Sequence, residues 1–436
     1  FSARIEVIMS EQLGNDQRNL IVGFDLCDDF SQLSYFNYKT HEPESFCVDL
    51  EESRYLIPTA VGVKNYSKDW IFGEEAVSCG KLGTGVLIDG LLTKLKTGEN
   101  IKIFDAEFDS ISLMEKFLRK CLLLLKKKFP SNTILKLVIT LKELDENVVN
   151  GLYQVLENLG IGKDRGFIQS HSHSYQYFAL SQSKELWMND IGLFDFDEQG
   201  LTYSQIYINH KVKPYVVGLK EEDFRETLSY SMLEEYKNGE NLEYIFGNIA
   251  NSVLHKQIVS TIYATGLGFD GDWADNTLKE LCVGRRVFKG QNLYVKGACY
   301  MAKELAGDSK LSDYLFLSKE MITNDIYITG DYNGKIADVV LVKAGELWYE
   351  INNNLDIILD DEQEITLKLK NIISGESKGY KINLTGLPER PNRTTRIGIY
   401  IKFKDYANAV ITLRDKGFGD FYPASGQVWS EEIVVQ

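Results

Sequence analysis

Two aspartates occupy matching positions in two similar apolar stretches, and their surroundings suggest a role in binding. Asp25 lies in Ile21–Asp29, which reads Ile-Val-Gly-Phe-Asp-Leu-Cys-Asp-Asp, and Asp195 lies in Ile191–Gly200, which reads Ile-Gly-Leu-Phe-Asp-Phe-Asp-Glu-Gln-Gly. Each acid stands among residues that favour strands and is followed by a polar turn and a return strand. The repeat predicts two β-hairpins, each presenting a carboxylate that could hold a cation.

Composition and charge limit the classes of function open to this chain. Its 436 residues, 44% apolar and 25% charged, are enough for two or three globular domains. The net charge of −15 argues against nucleic acid or an anionic membrane as the main partner, because both require a basic surface. The longest apolar run, Cys121–Leu125, is far too short to span a bilayer, so the sequence predicts no transmembrane helix.

The cysteines and the first residues bear on the location of the protein. The six cysteines form no Cys-x-x-Cys pair, which is typical of reduced thiols and predicts a cytoplasmic protein. Phe1–Ile8 lacks the apolar centre of a signal peptide. We expect this stretch to be a leader or a non-native remnant ahead of Met9.

Helical and strand-like patterns alternate through the first part of the chain. Apolar residues recur at helical spacing in Ser110–Phe129 and again in Asp145–Leu159. Between these helices, Thr133–Thr140 has the apolar pattern of a strand. The order predicts an α/β region.

The same alternation continues to about Gly307. Ile258–Phe269 has the pattern of a buried strand and ends in two glycines, Gly266 and Gly268. The later Lys296-Gly297-Ala298 stretch is predicted to open a helix.

The chain from about Tyr314 onward has an all-β pattern. Alternating apolar and polar residues recur in short segments separated by Gly, Asn and Asp turns: Asp325–Thr329, Asp338–Val342, Glu364–Lys370 and Lys378–Leu384. This pattern predicts a β-sandwich.

These features, in this order, resemble the actin-like ATPase superfamily and, within it, the seventy-kilodalton heat-shock chaperones of the DnaK type. Those chaperones have two lobes with acid-bearing hairpins, and their first lobe carries a Val-Ile-Thr strand similar to Val138–Thr140. The strongest match is Leu384–Lys404, where Leu-Thr-Gly-Leu-Pro-Glu-Arg-Pro precedes an alternating strand. This segment resembles the chaperones' substrate-binding β-domain.

The resemblance implies an α/β fold with a two-lobed actin-like (ribonuclease-H-like) core, followed by a C-terminal β-sandwich. The first lobe would be residues 1–190, the second 191–313, and the chaperone-like β-domain 314–436. The second lobe would lack the subdomain that closes over adenine in the chaperones, because only 70 residues separate Asp195 from Thr265.

The resemblance also implies a site for ATP or ADP with Mg²⁺. Asp25 and Asp195 would orient the hydrated Mg²⁺. Lys94, on a predicted helix, or its neighbour Lys96 would face the phosphates. Gly266 and Gly268 would form the turn against which the adenosine packs.

The residues that decide activity depart from the chaperone pattern. The chaperones' phosphate turns contain glycines and threonines, whereas Cys27–Asp29 and Phe196–Gln199 are rich in acids. Each carboxylate within about 4 Å of a phosphate would cost about 4 kcal/mol at a near-surface dielectric. Ser170 or His171 stands where the chaperones have the glutamate that positions the attacking water.

Other interpretations of these residues stay open. The two hairpin acids could bind a cation alone or hydrogen-bond within their hairpins, and the two lysines could be a solvated pair. His171 and His173 suggest a metal, but their i, i+2 spacing does not place both on one helical face. No third ligand is evident near them in the sequence.

Three functions are compatible with these features. The first is a chaperone-related module that binds a protein or peptide through its β-domain and has a degenerate, non-hydrolysing nucleotide cleft, with no catalytic residue. The second is a slow Mg²⁺-dependent ATPase that uses Asp25, Asp195 and a lysine. The third, a sugar-kinase-like enzyme, is disfavoured because such kinases need no C-terminal β-domain.

Overall fold

The computed structural model describes residues 19–49, 54–235, 240–308 and 310–435. Of these, the residues up to Tyr207 together with Leu219–Ser312 form one compact unit, and Ile208–Gly218 with the residues from Asp313 onward form a second. The predicted leader, Phe1–Ile8, lies outside the described residues. Within the described ranges, no helix combines the length and apolar character needed to cross a membrane.

The first unit is a mixed α/β structure. Its strands are β1 (Asn19–Leu26), β2 (Phe30–Asn37), β3 (Glu42–Ser45), β4 (Ile57–Pro58), β5 (Val61–Lys64), β6 (Trp70–Phe72), β7 (Gly85–Ile88), β8 (Ile101–Ile103), β9 (Ala106–Phe108), β10 (Thr133–Leu141), β11 (Gly166–Ser170), β12 (Asp190–Asp197), β13 (Gly200–Asn209), β14 (Tyr215–Asp223), β15 (Val259–Thr265) and β16 (Arg286–Lys289). The end of β13 and the start of β14 belong to the second unit.

The helices of the first unit lie between these strands. They are α1 (Gly73–Lys81), α2 (Leu91–Thr97), α3 (Ser110–Lys128), α4 (Glu146–Asn158), α5 (His171–Leu180), α6 (Met232–Glu235), α7 (Glu240–Val253), α8 (Asp275–Leu281) and α9 (Leu293–Leu305). Asp109 and Asp145 cap α3 and α4 by accepting hydrogen bonds from backbone N–H groups of the first turn. Helix α9 begins at Leu293, three residues before the predicted start at Lys296.

Two sheets in the first unit repeat one arrangement. The first follows the order β11-β10-β1-β2-β3, and the second follows β16-β15-β12-β13-β14. In each sheet the acid-bearing strand is antiparallel to the next strand in the chain and parallel to a later one, so the predicted hairpins form.

The register of the two sheets places the hairpin acids in equivalent surroundings. Asp25 lies opposite Thr140 on its parallel neighbour, and Asp195 lies opposite Thr265 on its own. Each parallel pair also begins with a register shift at the same distance before the acid. The sequence repeat therefore corresponds to a repeat in structure.

Helices α5 and α9 pack against each other through a glycine contact. A Cβ built on Gly297 of α9 would lie 2.6 Å from the carbonyl carbon of Ser174 on α5, and closer still to its oxygen. A Cβ built on Gly23 of β1 would lie 2.6 Å from the backbone nitrogen of Cys299. Only glycine permits these approaches, which hold the two helices together beside β1.

The second unit is rich in strands: β17 (Tyr314–Phe316), β18 (Asn324–Tyr332), β19 (Lys335–Val342), β20 (Asn352–Ile358), β21 (Glu364–Asn371), β22 (Ser377–Asn383), β23 (Arg396–Phe403), β24 (Asn408–Gly417) and β25 (Val428–Val434). Two antiparallel sheets follow the orders β19-β18-β21-β22 and β20-β23-β24-β25. Strand β17 pairs instead with the Tyr215–Val217 part of β14.

One hydrophobic core joins these two antiparallel sheets. Every second residue of β21 and β24 is buried in it: Ile365, Leu367, Leu369, Ala409, Ile411 and Leu413. This period of two is the pattern of strands that bury one face, so the alternation in the sequence directly specifies the core.

Candidate functional site

The two hairpin acids are joined by a pair of stacked rings. His171 Nε2 lies 2.8 Å from Asp25 Oδ1, and the Tyr294 hydroxyl donates a hydrogen bond of 2.6 Å to Asp195 Oδ2. The imidazole and phenol rings are nearly parallel, with an interplanar angle of 12° and centroids 3.9 Å apart. We call the chain of contacts Asp25–His171–Tyr294–Asp195 the ring bridge.

The repeated fold explains how the ring bridge forms. His171 is the first residue of α5, which follows β11, and Tyr294 is the second residue of α9, which follows β16. Ser170 fixes the start of α5, because its hydroxyl accepts a hydrogen bond from the backbone N–H of His173. The glycine contact between α5 and α9 brings these two helices close together.

Burial and nearby charge change the acidity of the Asp195 and Tyr294 groups. Burial, and then the charge of Asp197, raise the pKa of Asp195 to about 6, while the Tyr294 hydrogen bond lowers it in part. Burial, followed by the Asp195 charge, holds the pKa of Tyr294 well above its usual value. Tyr294 therefore remains a neutral hydrogen-bond donor at physiological pH.

Asp28 in the first acidic turn serves as a helix cap. Its Oδ1 accepts a hydrogen bond of 2.7 Å from the backbone N–H of Leu92, and its Oδ2 accepts from the backbone N–H and the hydroxyl of Thr93. These donors lie in the first turn of α2, where N–H groups lack partners within the helix. The Asp28 carboxylate thus occupies hydrogen-bond donors of Leu92 and Thr93 that could otherwise bind an anion such as phosphate.

The other turn acids also have partners within the chain. Asp197 Oδ2 lies 2.5 Å from Lys142 Nζ. Burial, followed by a hydrogen bond with Asp29, raises the pKa of Glu198, so a carboxyl group from one acidic turn contacts a carboxyl group from the other. Together with Asp25 and Asp195, these side chains form a carboxylate-rich cluster.

The predicted glycines lie beside the second hairpin. A Cβ on Gly266 would lie 2.6 Å from the carbonyl carbon of Phe196 and 2.8 Å from Asp195 Oδ1, and one on Gly268 would lie 2.5 Å from Cδ1 of the Phe196 ring. The Gln291 side chain accepts a hydrogen bond from the Gly266 N–H and donates one to its carbonyl oxygen. The structure thus brings Gly266 and Asp195 together, and both backbone groups of Gly266 are engaged.

The predicted lysines lie on α2. Lys96 Nζ forms an ion pair of 3.3 Å with Asp145 Oδ2 at the start of α4. Lys94 Nζ lies 3.5 Å from where a Cβ on Gly90 would be, and no contact found in the described ranges joins it to either hairpin acid. The capping by Asp28 nevertheless holds this helix against the first acidic turn.

Sequence reasoning missed several residues of this site. Cys27 Sγ lies 3.7 Å from Asp25 Oδ1, and Lys142 pairs with the second turn from a position just after β10. Tyr294 lies in a stretch of sequence that contains no recognisable motif. In the sequence, His171 suggested a metal ligand together with His173. In the structure, the side chains that cluster with His171 are Asp25 on β1 and Cys27 in the turn after β1.

Comparison with known families places the chain without assigning an activity. Residues 42–319 match the C-terminal region of a family of unknown function (DUF5716), and residues 321–435 match a domain of unknown function (DUF8552). No curated protein matches the chain. Because the first match covers more than half of the sequence, the protein belongs to the DUF5716 family.

Proposed function

We propose that this member of the DUF5716 family is a chaperone-related module that binds an extended peptide in its second unit. Its first unit is a two-lobed actin-like core whose nucleotide cleft does not hydrolyse ATP. The peptide would bind in a groove between two end strands of the second unit.

The repeated sheet supports the actin-like core. Two sheets with one strand order, each with an acid on its first strand and a helix after its last, fit a duplicated ribonuclease-H-like lobe. The resemblance of the motifs to DnaK-type chaperones follows the same chain order. Since a fold does not determine an activity, the cleft must be judged from its side chains.

The side chains of the cleft support a non-hydrolysing role. Asp25 Oδ1 contacts His171 and Asp195 Oδ2 accepts a hydrogen bond from Tyr294, so each carboxylate can offer only its second oxygen to water on Mg²⁺ unless it releases its partner. A phosphate near the two acidic turns would also be repelled by several carboxylates. Each carboxylate about 4 Å from the phosphate would weaken its binding by about 4 kcal/mol. The slow Mg²⁺-dependent ATPase, with metal at Asp25 and Asp195, is the alternative that a nucleotide titration distinguishes.

A groove of about 310 Å³ lies between strands β19 and β20 of the second unit. It is lined by Val339, Val340, Leu341, Asn352, Asn353, Asn354, Leu355, Ile399 and Ile401. Both strands are at the ends of their sheets, so each pairs on one side only within the sheets that the structure describes. End strands of this kind can accept another strand by main-chain hydrogen bonding.

The exposed residues of β19 indicate the chemistry of the peptide. Ile336 and Val340 are 84% and 56% exposed and lie on the same side of the strand. Asn353 donates a hydrogen bond of 2.7 Å to the carbonyl oxygen of Leu341, which ties β20 to β19 at the base of the groove. We infer that the occupant is an extended segment with aliphatic side chains at alternate positions.

The partner is proposed to be a protein or peptide rather than nucleic acid or a membrane. The net charge of −15 disfavours polyanions and suits a neutral or basic peptide. The cysteines of the described residues are all free, which is compatible with the proposed cytoplasmic location.

The test is peptide binding by the full chain and two matched variants. An array of overlapping peptides identifies a binder, whose affinity is then measured by fluorescence anisotropy. Val340→Lys removes an aliphatic contact of about 1–3 kcal/mol and is expected to weaken binding about 10-fold or more. Val434→Lys is the control, because Val434 is 55% exposed on the end strand β25, outside the groove.

Two results would reject peptide binding at this groove. One is an array in which no peptide binds the folded chain. The other is an equal loss of affinity in Val340→Lys and Val434→Lys, which would place the binding surface elsewhere.

A further inference from the structure

Three different ligand atoms meet where the first hairpin reaches α5. A carboxylate oxygen of Asp25, the thiol sulfur of Cys27 and a ring nitrogen of His171 all lie within 4.8 Å of one another. Asp25 Oδ1 is 2.8 Å from His171 Nε2 and 3.7 Å from Cys27 Sγ. Ligands in a tetrahedral zinc site are roughly 3.3–3.7 Å apart, so small side-chain shifts would complete the geometry.

The imidazole of His171 is buried and held in a fixed orientation beside the other two ligands. His171 is only 8% exposed, and its Nδ1 atom is buried with no hydrogen-bond partner in the part of the chain that the structure describes. Nε2 is the ring nitrogen that faces Asp25 and would bind the ion, and Nδ1 points to the other side of the ring, where a metal-binding histidine commonly contacts an outer-shell partner. The stacked Tyr294 ring fixes the plane of the imidazole.

We propose that Asp25, Cys27 and His171 bind a Zn²⁺ ion. One oxygen, one sulfur and one nitrogen suit this borderline-soft ion, whereas Mg²⁺ and Ca²⁺ prefer oxygen ligands alone. Three protein ligands leave a fourth position for water or another ligand, which is the pattern of an open zinc site. The thiol proton of Cys27 leaves when the sulfur binds the ion.

Acidic side chains outnumber basic ones beside the cluster, which favours a cation. The Asp195, Asp197 and Glu198 carboxyl groups lie on the neighbouring hairpin, and the Lys142 cation that pairs with Asp197 offsets part of their charge. A bound Zn²⁺ would connect the end of β1 to the first residue of α5. This site is separate from the peptide groove and does not depend on peptide binding.

The test uses the full chain after treatment with a chelator. Zn²⁺ is titrated by calorimetry, and Co²⁺ is added as a spectroscopic substitute because a thiolate ligand gives a near-ultraviolet charge-transfer band. We expect one equivalent of Zn²⁺ to bind and to raise the thermal midpoint. The Co²⁺ complex should show the thiolate band.

Matched cysteine variants identify the ligand. Cys27→Ser is expected to abolish the thiolate band and to weaken Zn²⁺ binding by more than the ~10–100-fold loss typical of outer-shell changes. Cys282→Ser is the control, because Cys282 is exposed and lies outside the cluster. His171→Gln should weaken the binding of Zn²⁺ while leaving the Cys27 thiol in place.

Two outcomes would overturn the zinc site. Wild-type protein that binds no Zn²⁺, or binds Co²⁺ without a thiolate band, excludes Cys27 as a ligand whether or not the variants fold. A band that persists in Cys27→Ser but disappears in Cys282→Ser would assign the metal to the exposed cysteine.

Discussion

The glycine contact between α5 and α9 allows a quantitative test of how the site is assembled. In Gly297→Ala, the new methyl carbon would lie 2.6 Å from the carbonyl carbon of Ser174, whereas ordinary contact begins at about 3.4 Å. The helices must therefore separate by at least about 0.8 Å, which forfeits a quarter to a half of the dispersion energy at each affected contact. The same movement would pull His171 away from Tyr294.

The matched control is Gly247→Ala in α7. A Cβ there would make only an ordinary contact of 3.5 Å with Thr277. Both variants gain about 1 kcal/mol of helix propensity, so their difference isolates the helix contact. Overpacking of about 2 kcal/mol in Gly297→Ala should place its thermal midpoint about 4–8 °C below that of Gly247→Ala.

The assay is thermal unfolding followed by circular dichroism, with tryptophan fluorescence as a second probe because a chain with two units need not unfold in one step. If Gly297→Ala melts at or above the temperature of Gly247→Ala, α5 and α9 do not pack through this glycine. Contacts other than this glycine would then position His171 against Tyr294.

Two further predictions concern buried charge. In the second unit, Arg390 binds both carboxylate oxygens of Asp415 at 2.8 and 2.7 Å, and both side chains are almost fully buried. Arg390→Met should cost about 3–5 kcal/mol in urea unfolding, because the buried Asp415 carboxylate keeps the N–H groups of Gly417 and Ser425 but loses its cationic partner. Arg393→Met, at an exposed pair, should cost about 0–1 kcal/mol, and equal costs for the two variants would refute this. In the first unit, the pKa of Asp195 in the folded protein is about 6, above its usual value of 3.8. The stability that is linked to the protonated form of Asp195 is therefore fully present below pH ~4, and it is lost as the pH rises through ~6. Asp195→Asn, which can still accept from Tyr294, should therefore gain up to about 3 kcal/mol over wild type between pH 4 and pH 8 in denaturant titrations, and a pH-independent difference would contradict the assigned shift.

Local patterns in the sequence predicted much of the fold. Alternation predicted strand Glu364–Lys370, which the structure extends by one residue, and helical spacing predicted Ser110–Phe129, which ends one residue earlier. The repeated hairpin acids predicted the two equivalent strands. In each case a few consecutive residues are enough for the prediction, because burial of one face makes apolar residues recur every 2.0 positions in a strand and every 3.6 in a helix.

The site was harder to predict because its contacts join distant parts of the chain. His171 and Tyr294 meet only after two helices pack, and nothing in a local pattern pairs a histidine with a tyrosine so far away. The predicted start of α9 at Lys296 left Tyr294 outside the helix. Cys27 showed no metal-ligand spacing in the sequence, because His171, which lies in the same cluster, is on another element.

The central claim is that side chains of the protein itself fill the cleft where a related ATPase would bind Mg²⁺-nucleotide. Calorimetric titration with ATP and ADP, each with and without Mg²⁺, tests this directly beside the Asp25→Ala, Asp195→Ala double variant. We expect no Mg²⁺-dependent heat at millimolar nucleotide for wild type or variant. Micromolar, Mg²⁺-dependent binding that is lost in the double variant would contradict the claim and favour the slow ATPase.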